Sequence, residues 1–163
     1  MKFAELLAVA VITLTASSAM ASDYRPAGGT GSGSQGPAGP STLVFVGSSQ
    51  IPLSGSSTVY IGATASTAAA EAGIPITNST TFTKVAVDLS AGPGPNKSWT
   101  ITVMNDNTPT SASSTITGDS TSVALTTNMP TFASGDAFSL KIEPTAGTPA
   151  PTIINFTAQA VLN

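Results

Sequence analysis

Six carboxylates lie in the β-patterned part of the chain: Glu71, Asp88, Asp106, Asp119, Asp136 and Glu143. Two carboxyl groups about 5–10 Å apart are enough to cleave a glycosidic bond by acid–base chemistry, so a secreted hydrolase using Asp or Glu is chemically open. Nothing in their spacing selects a pair, and four of the six sit at predicted turn or strand-end positions where Asp is ordinary. The chain contains neither Cys nor His. Those two zeros remove Ser-His-Asp and Cys-His nucleophilic catalysis, thiolate and imidazole metal sites, disulfide stapling and a histidine pH switch. Lys84, Lys97 and Lys141 fall on predicted outward faces or in loops. A solvated lysine keeps its proton, so a Ser/Lys dyad is also disfavoured. The sequence therefore predicts a non-enzymatic protein and names no catalytic residue.

Calcium is the cofactor such a composition admits most readily, because it takes oxygen from Asp, Asn and backbone carbonyls. Asn105, Asp106 and Asn107, joined by Asp119 or Asp136, would supply three or four such oxygens if their loops cluster. The competing reading is a capped turn. No D-x-D-x-D-G loop is present, so no metal residue and no cofactor is assigned. Tyr60 and Trp99 offer aromatic faces on which a sugar ring could stack, yet Trp99 shares its alternation with Ile101 and Val103 and reads as core. The candidate ligand-binding residues are thus Tyr60, Trp99, Asn105 and Asp106. N-x-[ST] sequons occur at Asn78, Asn96 and Asn155. With a net charge of -3 and only five Lys plus Arg, the chain lacks the cations that tracking a nucleic-acid backbone requires.

The elements that must position these residues are legible. Residues 1–21 carry a basic start at Lys2, an apolar run from Leu6 to Leu14 and the small-residue end Ala19-Met20-Ala21. This is the layout of a secretory signal, with cleavage expected after Ala21; the apolar run is well short of the roughly 20 residues of a membrane span. No stable membrane insertion is expected after cleavage. Residues 22–41 are a Gly/Pro/Ser-rich neck, and from Pro26 to Ser41 it lacks the large apolar side chains that would offset the entropy of ordering it. Within the neck, Gly36-Pro37-Ala38-Gly39-Pro40-Ser41 makes two Gly-X-Y triplets.

Residues 42–163 read as an antiparallel β-sandwich, all-β and jelly-roll-like, of about eight strands. Expected strands cover 42–46, 58–61, 74–76, 81–89, 98–104, 113–117, 122–125, 137–142 and 153–161, with a helical turn plausible only in 64–72. Alternation places Val85, Val87 and Leu89 on one face, likewise Trp99, Ile101 and Val103, then Phe138, Leu140 and Ile142, then Ile154, Phe156 and Ala158. Lys84, Asp88, Thr100, Thr102, Ser139 and Lys141 should then point to solvent or to a neighbouring chain. Turns are expected at Asn105-Asp106-Asn107, Thr117-Gly118-Asp119-Ser120 and Ser134-Gly135-Asp136.

This order of secretory start, Gly-rich neck with a Gly-Pro-Ala-Gly-Pro stub, and β-rich body carrying Pro93-Gly94-Pro95-Asn96-Lys97-Ser98-Trp99 resembles collagen-stalked surface proteins of bacteria and phage fibres. The resemblance implies a jelly-roll head similar to those of C1q and tumour necrosis factor, associating as a homotrimer. It carries no catalytic residues.

Two functions from different classes follow. The first is a secreted, non-enzymatic structural or adhesive module on an extracellular surface, self-associating through its β-sandwich. The second is a carbohydrate-binding module for a surface glycan, using Tyr60, Trp99 and loop Asn or Asp residues. The Asp/Glu hydrolase is a weaker third.

Overall fold

The protein was analysed as a computed structural model that describes residues 42–163 apart from 51 and 54. The secretory leader expected at 1–21 and the neck expected at 22–41 lie outside the described residues. The chain runs through β1 (Thr42–Ser48), β2 (Val59–Ile61), β3 (Ala65–Ser66), α1 (Ala69–Ala72), β4 (Ile74–Pro75) and β5 (Thr80–Leu89). It continues through β6 (Gly94–Asn105), β7 (Thr108–Gly118), β8 (Ser122–Leu125), β9 (Thr131–Phe132), β10 (Ala137–Ala146) and β11 (Ile154–Leu162).

Two antiparallel sheets form. The first has the order β1-β11-β5-β8 with β9 also on β5; the second has the order β3-β2-β10-β6-β7 with β4 also on β10. Setting aside the two-residue strands β3, β4 and β9, the principal strands pair as β1 with β11, β2 with β10, β5 with β8, and β6 with β7. First meets eighth, second seventh, third sixth and fourth fifth. A single antiparallel ribbon folded over on itself gives this order, which is the jelly-roll winding. The expected sandwich is therefore present, with eight principal strands and eleven in all among the described residues.

The faces follow the alternation of the sequence. Val85, Val87, Leu89, Trp99, Ile101, Val103, Phe138, Leu140, Ile142, Ile154, Phe156 and Ala158 all belong to one buried cluster between the sheets. At its centre Phe138 stacks on Phe82 at 4.6 Å between ring centroids, and Phe45, Phe132 and Phe156 surround that pair. Such offset and tilted ring pairs add to the burial term that drives the sheets together. On β1, Gly47 faces inward, and a side chain there would run into the Phe156 ring.

The alternation breaks at bulges. Between Gln159 and Ala160 the partner register on β5 jumps from Lys84 to Phe82, so Thr83 is an extra residue. This lets Phe82 and Val85 both turn inward with two exposed residues between them. Simple alternation from Val85 would have sent Phe82 outward.

Ser139 departs from expectation. It faces away from the core as predicted, yet it is only 2% exposed. Its register partner on β6 is Met104, also 2% exposed and outside the central cluster, and Met104 in turn pairs with Pro109 of β7. Ser139 therefore does not reach solvent although it lies on the outer face. The stretch expected to allow a helical turn contains the short strand β3 and then the single turn α1.

Candidate functional site

The outer face of the second sheet displays polar side chains in register. Ser66, Tyr60, Lys141, Thr102 and Ser113 form one row across β3, β2, β10, β6 and β7, and Glu143, Thr100 and Thr115 form the next. A period of two places these residues on the surface opposite Trp99 and Ile101. The hydroxyls bond to one another sideways: Thr100 to Thr115 at 3.0 Å, Thr100 to Thr145 at 2.9 Å, Ser98 to Thr145 at 2.9 Å and Thr102 to Ser113 at 3.0 Å. Thr145 reaches both Ser98 and Thr100 because the register of β10 against β6 skips it between Pro144 and Ala146. The Lys141 ammonium meets the Glu143 carboxylate at 2.6 Å, so the charges on this face cancel locally. The result is a hydroxyl-lined sheet surface with little net charge.

The predicted site residues separate. Trp99 is fully buried, with no face open to a ligand, and its indole Nε1 has no hydrogen-bond partner among the described residues. Tyr60 is half-buried on the opposite surface of the same sheet, between Ser66 and Lys141. The two aromatics therefore cannot make one sugar platform. The sequence signal for this outcome was present in the shared period of Trp99, Ile101 and Val103.

Asn105 and Asp106 do come together with Asp136. Asn105 closes β6 opposite Thr108, leaving Asp106 and Asn107 as a two-residue hairpin turn with φ of 46° and 68°. Two successive positive φ values are what this tight hairpin demands, and Asn and Asp tolerate them. The Asn105 Nδ2 donates to Asp136 Oδ2 at 3.0 Å, and the same oxygen accepts from the Ala133 backbone N–H at 2.8 Å. Asp106 Oδ1 accepts from the Ala137 N–H at 2.8 Å. These oxygens clamp the β6–β7 turn to the turn ahead of β10. Asp119 lies elsewhere, against Gly92. Asn105, Asp106, Thr108, Pro109 and Thr110 also line a shallow open recess of about 400 Å³.

The remaining acids are dispersed. Glu71 accepts a hydrogen bond from Ser66 Oγ at 2.6 Å beside β3, and Asp88 is exposed on β5 of the other sheet. Among the described residues, no group of three or more carboxylates, imidazoles or thiolates converges on a common point.

One apolar groove was not foreseen from sequence. Leu43 and Phe45 of β1, Ile74 and Pro75 of β4, then Ile76 and Leu162 line an opening of about 290 Å³ between the edges of the two sheets, with Thr77, Asn78 and Thr80 on its polar side. Its walls come from residues far apart in the chain, so no local pattern announces it.

No family model and no curated protein matches this chain.

Proposed function

We propose that this protein is a secreted, non-catalytic structural or adhesive module that contacts other surfaces through its β-sandwich and self-associates. The observation that carries the reading is the outer face of the second sheet, where hydroxyls satisfy one another laterally and Lys141 is paired with Glu143. A face of this kind meets another extended surface at small dehydration cost, because its polar atoms keep partners when water leaves. The polar groups gathered in the turns are spent on architecture, as the Asn105–Asp136 and Asp106–Ala137 bonds illustrate. The homotrimer implied by the resemblance to collagen-stalked heads is one form of such association. Sedimentation velocity on the purified chain over a wide concentration range tests the self-association part: oligomers are expected, and a monomer throughout removes it.

A second reading keeps Tyr60 alone as the contact for a surface glycan. The observation favouring it is a half-buried ring on a hydroxyl-rich face, flanked by Ser66 and Lys141. Glycan-array binding that is lost in Tyr60→Ala, tried with and without calcium, would support it. An array without signal under both conditions would eliminate it.

A further inference from the structure

The geometry points to the outer edge of β1, which pairs with no second strand among the described residues, as the surface at which two copies of this chain pair, strand to strand, about a two-fold axis. This rests on the self-association proposed above and places its interface at the β1 edge of the first sheet, leaving the hydroxyl face of the second sheet for contact with other surfaces. An exposed strand edge carries a row of unpaired N–H and C=O groups, and proteins blunt such edges with short strands, proline, charge or bulges.

The other edges among the described residues carry these devices. β3 and β9 are two residues long and β8 is four. β7 is long, but it contains Pro109 and a bulge in which Thr110, Ser111 and Ala112 stand opposite Val103 alone. β1 has none of them. Its seven residues, Thr42-Leu43-Val44-Phe45-Val46-Gly47-Ser48, pair with β11 at every position without a register shift and include no proline and no charge.

A strand without charge suits pairing with itself, because self-pairing across a two-fold axis sets no like charges opposite one another. Val44 and Val46 are half-buried on the outer face of this edge. Leu43 and Phe45 face the other way and line the apolar groove, so an added strand would also cover the groove's mouth. With the leader removed as the sequence predicts, the chain's own preceding segment is a poor occupant: residues 22–41 hold three prolines and six glycines and no Val, Ile, Leu or Phe. Such a composition neither sustains a ladder nor fills an apolar groove.

The test compares the full chain with Val44→Lys, which puts a cation on the β1 edge, and with Thr115→Lys, which puts one on the hydroxyl face. Far-UV circular dichroism and a cooperative melt establish folding, and Val46→Lys replaces Val44→Lys if the latter does not fold. Sedimentation equilibrium is expected to show a dimer for the unaltered chain and for Thr115→Lys, and at least a tenfold weaker dimer for the β1 variant. Oligomers that survive the β1 change, oligomers broken by Thr115→Lys alone, or a trimer would overturn the edge assignment while leaving self-association intact. A monomer at all concentrations would overturn both.

Discussion

Replacing Phe138 by Ala tests the claim that the two sheets are held by one aromatic cluster. Phe138 is fully buried on β10, and its ring lies 4.6 Å from Phe82, 5.9 Å from Phe156, 6.0 Å from Phe132 and 6.3 Å from Phe45. Phe82 and Phe156 belong to strands of the first sheet, so the substitution empties the space through which the layers touch. A buried Phe→Ala change costs about 3–5 kcal/mol. Ring pairs contribute about 0.5–1.5 kcal/mol beyond area, so losing several at once places the loss at the upper end. A single domain has a total stability of about 5–15 kcal/mol, which makes this a large fraction of the whole. Trp99, the one tryptophan and fully buried, reports unfolding through its emission. In urea titrations the midpoint should fall by about 2 M with unchanged slope, for a slope of about 1–3 kcal/mol/M. Phe138→Leu keeps part of the volume but loses the ring pairs, so it should cost less than the alanine change and stays measurable if the alanine variant does not fold. A loss below about 1.5 kcal/mol for Phe138→Ala would refute the reasoning, since a site that collapsed so easily would not be joining two layers.

Two further outcomes follow from the turns. Asn107 has φ of 68°, so Asn107→Val should lower stability by about 1–2 kcal/mol while Asn107→Gly stays within about 0.5 kcal/mol, as read by thermal melts. Asp136→Ala removes the acceptor shared by Asn105 Nδ2 and the Ala133 N–H and should cost about 1–3 kcal/mol in urea titrations; a neutral result would mean that this clamp is not formed in solution.

Much of the fold was written locally. The stretches around Val85, Trp99, Phe138 and Ile154 alternate strictly, and a strand's period of two converts that alternation directly into an inner and an outer face. The turn at Asn105-Asp106-Asn107 was equally plain, because few residues accept two positive φ values in succession. Ser139 was misplaced because alternation along β10 assigns a face but not its exposure, and its cross-strand neighbour Met104 is set only once β10 and β6 are in register. Phe82 was beyond simple alternation because one bulged residue, Thr83, reverses the phase of the strand.

The candidate site divides in the same way. The residue types alone established that Cys and His chemistry is absent and that Trp99 keeps time with a core face. Tertiary structure alone decided that Tyr60 and Trp99 stand on opposite surfaces of one sheet, that Asp136 reaches back to Asn105, and that Leu43 and Ile76 share a groove. Alternation is a property of neighbours along the chain and survives in the sequence as a pattern. Which strand lies beside which depends on how the ribbon winds, a choice made by burial summed over the whole core and recorded at no single position.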